Sequence, residues 1–319
     1  MAQGGSVLTE ARGARRSLWS WVLLAVVVAV GVYVVFRDRR DLATAFREIG
    51  WDALAVSAAF SLLGTVSLLG LWLSVLRGLG ALVPLGEAWR VFFISQLGKY
   101  LPGLVWPALV QMEAGPRWGV RRSVMLTGNL LMIAVLTGSG VVTGLVLLPG
   151  SVGLAGAAGL AAWVLAGFLV VICLWPRLLI AIVDRVFALF HREPPQLTTS
   201  PRDMAVSFAW AFATWLLYGL HVWVLVRSVG GSGADAWVVA TGGIALAWAL
   251  GLVAVLAPAG IGVRDAVLVA VLAPLVGRSP ALAVALASRG LLAVTDIVLA
   301  AVAALGWTRR PTGSGVAQE

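Results

Sequence analysis

Apolar runs long enough to cross a bilayer recur along the chain, separated by short polar or basic segments. A helical crossing takes about 20 predominantly apolar residues. The pattern therefore predicts an all-α, polytopic membrane bundle of about eight spans. The seventh is short for a full crossing, and the first is interpreted as retained because it ends in RDRRD and not in a cleavage site of small residues. The predicted spans are 18–36, 51–73, 123–148, 152–175, 204–226, 236–256, 266–275 and 281–307.

Basic residues are unevenly distributed between the segments that join these spans. With a cytoplasmic N-terminus, sixteen Arg and Lys residues lie on the cytoplasmic side and six on the other. Cytoplasmic loops carry an excess of Arg and Lys, so both termini are predicted in the cytoplasm and the protein in the cell membrane. The domain organisation predicted is a basic tail at 1–17, one transmembrane domain at 18–308 and a polar tail at 309–319.

One apolar stretch, FFISQLGKYLPGLVWPALV at 92–110, contains residues that interrupt helices. These are Gly98, Pro102, Gly103 and Pro107, and the stretch lies between two segments already assigned to the cytoplasmic side. Irregular backbone is tolerated at membrane depth only when it is buried in protein or lines a wet cavity. The pattern therefore favours a re-entrant hairpin over a crossing, with Lys99 beside the break.

A second irregular stretch, VLAPAGIGVRDAVLVAVLAP at 255–274, separates the sixth and seventh spans. Pro258 removes a backbone donor, while Gly260 and Gly262 admit conformations that side chains block. The charged pair Arg264 and Asp265 follows directly. We interpret Asp265 as steadying Arg264 or the start of the seventh span.

The two breaks are related in position. Each follows the second span of a four-span half, which is the pattern expected of a two-fold internal repeat with parallel copies. A helix interrupted at membrane depth presents N–H groups and a positive dipole end to a phosphate or carboxylate. The two breaks are therefore predicted to meet at one cavity.

The last span carries two further charges, Arg289 and Asp296, seven residues apart on one helical face. An Arg at the centre of a span costs about 2.5–3.5 kcal/mol on insertion. Both are predicted to point into the bundle, as partners or as the lining of a polar path. Arg264 and Arg289 are predicted to bind an anionic lipid headgroup, with Lys99 as a weaker contributor, because Arg offers phosphate a planar fork of donors.

Simpler interpretations of these charges remain open at this point. Arg264 and Asp265 can cap a helix at the membrane surface, and Lys99 can extend its ammonium to the interface. Arg289 and Asp296 can form a purely structural ion pair. Glu113 fits either a lipid amine or an interfacial position, and His221 is interpreted as part of an aromatic belt near a span end.

Composition excludes several classes of protein. Hydrophobic residues make up 61% of the chain, charged residues 12%, and the mean hydropathy is +0.98, which is incompatible with a soluble globular domain. The net charge of +9 follows from the positive-inside rule and does not indicate nucleic-acid binding. One cysteine and two histidines exclude a disulfide framework and favour no metal site.

Neither a catalytic set of residues nor a phosphate-binding loop motif occurs in the sequence, so no enzyme activity, cofactor or ATP-driven pumping is expected.

Four short segments stand out, GKYLPGLVW (98–106), RWGVRRS (117–123), PAGIGVRDAVL (258–268) and ASRGLL (287–292). They resemble a known family, the flippase-like transmembrane domain of lysylphosphatidylglycerol synthases and related stand-alone proteins. The resemblance implies an eight-span lipid-handling domain with two re-entrant elements. Asp265 stands where the family usually has Glu, and Asn129 where an acid is common, which argues against proton coupling at that position. No soluble aminoacyl-transferring domain follows, so lysyl transfer is not expected.

Two functions are therefore expected from the sequence. The first is transport of a lipid with an anionic headgroup, a phospholipid or a polyprenyl-phosphate-linked sugar, between leaflets. The second is a non-transporting membrane subunit that holds such a lipid for a partner synthase or glycosyltransferase. The expected partners are membrane lipid and, in the second case, that lipid-modifying enzyme.

Overall fold

The structure, a computed structural model, describes residues 44, 47–100, 105–151, 200–233, 235–253 and 262–305, and single positions at 160, 161, 164, 181 and 185. This part of the chain is helical and contains no strand, which confirms the all-helical class. Two 3₁₀ turns, at Leu97–Tyr100 and Gly115–Trp118, interrupt the helices. The α-helices described are α1 (Trp51–Gly78), α2 (Leu85–Gln96), α3 (Trp106–Ala114), α4 (Arg122–Ser151), α5 (Pro201–Ser228), α6 (Ala236–Val253), α7 (Val263–Val276) and α8 (Arg278–Leu305).

Four of these helices, α1, α4, α5 and α8, are long and apolar enough to cross a membrane, and they coincide with the predicted second, third, fifth and eighth spans. The sixth and seventh predicted spans correspond to the shorter α6 and α7. The chain is thus a multi-pass membrane protein. The predicted first span, both tails and all of the predicted fourth span except residues 160, 161 and 164 lie outside the described residues, so the domain bounds and the internal repeat stay predictions.

The helices α1 and α5 pack along their whole length through small and hydroxyl-bearing residues. Ser67 bonds Thr214 at 2.6 Å, and Ser74 bonds Ser207 at 2.9 Å. Positions rise along α1 while they fall along α5, so the two helices are antiparallel. Lipid gives no hydrophobic drive for helix association, and membrane helices therefore associate through close packing and interhelical hydrogen bonds of this kind.

Glycine makes part of this close approach possible, and one substitution tests it. A Cβ at Gly64 would lie 2.6 Å from the ring of Tyr218. Gly64→Ala is expected to lower the free energy of unfolding by about 1–3 kcal/mol, the usual cost of overpacking. Chemical unfolding followed by tryptophan fluorescence measures the change. Gly86→Ala in α2 is the control, because nothing lies within 4 Å of its added Cβ. An equal effect of both substitutions would contradict the packing argument.

The predicted hairpin contains α2, the 3₁₀ turn Leu97–Tyr100 and α3. At about 1.5 Å per residue, α2 with 12 residues and α3 with 9 are each too short to cross a bilayer. Gln111 of α3 donates to Ser95 of α2 at 3.0 Å and accepts from Asn129 of α4 at 3.0 Å. A Cβ on Gly98 would lie 2.8 Å from the Cβ of Trp106, so the chain turns back closely here. Pro102 and Gly103 lie outside the described residues.

Candidate functional site

The described part of the predicted break is its end, where α7 begins at Val263, while residues 254–261 lie outside the described residues. Gly262 precedes α7 with a φ of +89°, a backbone conformation that favours glycine. Its N–H donates to Oδ2 of Asp265 at 3.3 Å, so this carboxylate caps the first turn of α7. Pro258 and Gly260 lie outside the described residues.

The main partner of Asp265 is Arg289 of α8. Arg289 Nε donates to Oδ1 at 2.9 Å, and Nη2 lies 2.7 Å from Oδ2. The side chains are 25% exposed for Arg289 and 18% for Asp265. The sequence placed Asp265 beside Arg264 or at the helix start, and the structure supports the helix start. One residue, Gly277, joins α7 to α8, which folds the two helices back on each other and brings Asp265 to Arg289.

Asp296 pairs with the 3₁₀ turn Leu97–Tyr100, here called the hairpin tip, and not with Arg289. Lys99 Nζ lies 2.7 Å from Asp296 Oδ2, and the Tyr100 hydroxyl donates to the same oxygen at 2.5 Å. Asp296 is 2% exposed, whereas the Lys99 side chain is 34% exposed. Sequence reasoning missed Tyr100, whose only signal was its place beside Lys99 in an irregular segment.

Arg264 lies on the first turn of α7 and is partly buried against α6. A Cβ added to Gly251 of α6 would lie 3.0 Å from the Cβ of Arg264. It is next in the chain to Asp265, which pairs with Arg289. Among the residues that the structure describes, its guanidinium forms neither a hydrogen bond nor an ion pair. Arg264 is therefore a cation without a direct partner there, one residue away from the Asp265–Arg289 pair.

Together these side chains form one charged site along α8, to which α7 and the hairpin tip both attach. Arg289 and Asp296, seven residues apart, are separated by about 10 Å along the helix. Three cations face two carboxylates, which leaves one positive charge in excess among the described groups of the site. A surplus cation inside an apolar bundle, next to the N-terminus of α7, favours an anion. The site consists of Lys99, Arg264, Arg289, Asp265, Asp296 and Tyr100.

His221 does not lie in an aromatic belt, so that interpretation is wrong. It is fully buried and connects α5 to α1 and α8. Nδ1 lies 2.7 Å from the Ser57 hydroxyl and 3.0 Å from the Ser57 carbonyl, and Nε2 lies 2.8 Å from the Ser288 hydroxyl. Because a carbonyl only accepts, Nδ1 carries the hydrogen and Nε2 accepts from Ser288.

Hydroxyl pairs extend this connection beside the charged site. Ser61 of α1 bonds Thr295 of α8 at 2.9 Å, one residue before Asp296. Thr65 bonds the hydroxyl of Tyr218 at 3.1 Å. These contacts fix α8 against α1 and α5, so the helix that carries Arg289 and Asp296 is a firm support for both pairs. Scattered Ser and Thr residues gave no periodic signal from which the sequence could predict this.

Glu113 and Asn129 lie apart from the charged site. Glu113 forms an exposed ion pair with Arg122 at 2.7 Å. Asn129 is buried and bonds Gln111, so it holds the hairpin in place. In the described part of the chain, no group of three His, Cys, Asp or Glu side chains could hold a metal ion.

The fold and the site define a class, a polytopic helical membrane protein with charged groups gathered where two elements are broken. A comparison with protein families matches residues 21–300 to the family described as the lysylphosphatidylglycerol synthase TM region. The chain belongs to this family, as its resemblance predicted, and is a membrane protein related to lipid handling. A comparison with curated proteins gave no match.

Proposed function

We propose that this protein moves a lipid with an anionic headgroup between the leaflets of the cell membrane, with both termini in the cytoplasm. The observation that carries the proposal is the surplus positive charge of the site, centred on Arg264. Each carboxylate already has a basic partner, whereas Arg264 has none among the described residues. In this proposal the chain binds and moves lipid without catalysing a covalent reaction.

The chemistry of the site supports a phosphate-bearing headgroup. Guanidinium groups bind phosphate through two parallel N–H donors and stay charged when partly desolvated. Arg264 lies on the first turn of α7, and Arg289 of α8 reaches the same turn through its ion pair with Asp265, where backbone N–H groups add donors. A phospholipid and a polyprenyl-phosphate-linked sugar both present such a phosphate.

The placement of the site supports movement. Transporters commonly build substrate sites from interrupted helices whose parts shift relative to a fixed support. Here one ion pair connects the start of α7 to α8, another connects Lys99 to α8 beside the hydrogen bond from Tyr100, and α8 is bonded to α1 and α5. A headgroup phosphate can replace a carboxylate as the partner of Lys99 or Arg289. The ion pair with α8 is then broken, which gives the hairpin tip or α7 a way to detach from α8.

One observation favours the alternative function, a lipid-binding subunit for a partner synthase or glycosyltransferase. At position 129, Asn129 replaces the acid common in the family and is bonded to Gln111. The two carboxylates of the described site, Asp265 and Asp296, are both paired with bases. This arrangement offers no spare carboxylate there to couple lipid movement to protons.

The test is a lipid-movement assay in vesicles that contain labelled phosphatidylglycerol. We expect the wild-type protein to move the lipid and Arg264→Gln to reduce the rate about tenfold or more, since a hydrogen bond to a charged group contributes about 1.5–3 kcal/mol. Arg117→Gln, which changes an exposed Arg, is the control for charge and expression. Wild-type protein that retains phosphatidylglycerol but moves none supports the subunit function. Equal rates for Arg264→Gln and wild type overturn the assignment of Arg264.

A further inference from the structure

The ion pair between Lys99 and Asp296 is unequal in access. Lys99 is 34% exposed, whereas Asp296 is 2% exposed and lies against α1 through its neighbour Thr295. A charged group that approaches from outside the pair therefore meets the ammonium first. An anion can bind Lys99 in place of Asp296, whereas a cation reaches Asp296 only after Lys99 has left it.

The cost of that exchange depends on what happens to Asp296. A buried carboxylate left without a partner is strongly unfavourable. The Tyr100 hydroxyl donates to the same oxygen as Lys99, so Asp296 keeps a charge-assisted hydrogen bond when Lys99 turns away. Tyr100 thereby lowers the cost of releasing Lys99.

We propose that the Lys99–Asp296 pair selects the headgroup by charge: a phosphate ester displaces Asp296 from Lys99, while Tyr100 holds the vacated carboxylate, and an ammonium group is rejected. This inference rests on the proposed function, because it assigns the substrate class of the same site. Lys99 is the specificity-determining contact, and Tyr100 and Asp296 are positioning residues.

The second ion pair of the site lacks this asymmetry. Asp265 and Arg289 are exposed to similar extents, 18% and 25%, so a cation and an anion have comparable access to them. Burial at that pair therefore does not discriminate between headgroup charges. Discrimination by unequal burial belongs to the Lys99–Asp296 pair, in addition to the surplus positive charge of Arg264.

A charge exchange separates this role from a structural one. The double variant Lys99→Asp, Asp296→Lys keeps an ion pair but makes the accessible member acidic. The detergent-purified full chain is titrated with phosphatidylglycerol or with a dialkylammonium lipid, and ligand binding is measured as the rise in the thermal unfolding midpoint. We expect the wild type to prefer phosphatidylglycerol and the double variant to prefer the ammonium lipid. A folded double variant that keeps the wild-type preference overturns the inference.

A neutral double variant, Lys99→Gln, Asp296→Asn, serves if the exchanged chain does not fold. It is expected to bind phosphatidylglycerol about tenfold more weakly than wild type, as loss of one charged contact implies. Unchanged affinity overturns the inference. Tyr100→Phe is also expected to weaken phosphatidylglycerol binding about tenfold, whereas a purely structural hydroxyl lowers the unliganded midpoint and leaves the affinity unchanged.

Soluble glycerol phosphate identifies the source of the phosphate. Stabilisation by phosphatidylglycerol with little response to glycerol phosphate supports a lipid headgroup as the ligand. Equal binding of both, with the charge preference intact, keeps the exchange at Lys99 but overturns the lipid-moving function. Wild-type protein that binds phosphatidylglycerol selectively and moves none in vesicles likewise overturns only that function.

Discussion

Lys99→Gln is expected to lower the free energy of unfolding by about 3 kcal/mol. The substitution leaves the Asp296 carboxylate without its ammonium partner at a site that is 2% exposed, and breaking one side of a buried pair costs about 3–5 kcal/mol. The lower end applies because the Tyr100 hydroxyl still donates to Asp296. Chemical unfolding of the purified protein, followed by tryptophan fluorescence, measures the loss.

Removing both charges is the matched control. Lys99→Gln, Asp296→Asn eliminates the unpaired carboxylate, and the double variant is expected to regain more than half of the lost stability. If the double variant is as unstable as Lys99→Gln alone, the loss arises from the packing of the Lys99 stem and the electrostatic account is wrong.

The second large effect is expected for Asp265→Ala, which removes two interactions at once. The variant loses the ion pair with Arg289 and the hydrogen bond from the N–H of Gly262. A hydrogen bond to a charged group contributes about 1.5–3 kcal/mol and a helix cap about 1 kcal/mol, so the free energy of unfolding should fall by about 3 kcal/mol. Movement of phosphatidylglycerol in vesicles should also be lost, because α7 no longer holds its position on α8.

Two comparisons make the Asp265 result specific. Asp265→Asn keeps a side-chain oxygen for Gly262 but removes the charge, so it should be more stable than Asp265→Ala and still defective in lipid movement. Glu113→Gln breaks an exposed ion pair, with side chains 58% and 67% exposed, which should cost less than about 1 kcal/mol. Normal lipid movement by Asp265→Ala would show that α7 does not depend on this contact.

The sequence predicted the charged residues of the site better than their partners. Arg264, Asp265, Arg289, Lys99 and Asp296 all lie in the charged site, as expected from their cost inside a membrane. Their pairing was not predictable, because it depends on which helices lie side by side. Spacing along α8 suggested that Arg289 and Asp296 could pair, but each binds a group from another element.

Neutral polar residues were harder to interpret. His221 lies near aromatic residues such as Tyr218 in the sequence, which suggested that His221 belongs to a belt at the membrane surface. The structure buries both and bonds them to α1. Such a role requires a serine or threonine on a neighbouring helix at the same depth, and position along the chain does not give that depth.

By itself, the sequence determined the membrane class, the helical fold, the family and the interruptions at Gly98 and Gly262. These follow from local properties, because apolar runs, proline and glycine act on the backbone within a few residues of themselves. The tertiary structure alone decided that α7 and the hairpin tip attach to the same helix, that Tyr100 joins Asp296, and that Arg264 has no direct partner among the described residues. Ion pairs and hydrogen bonds act over a few ångströms, so they depend on distances between helices that are remote in the chain.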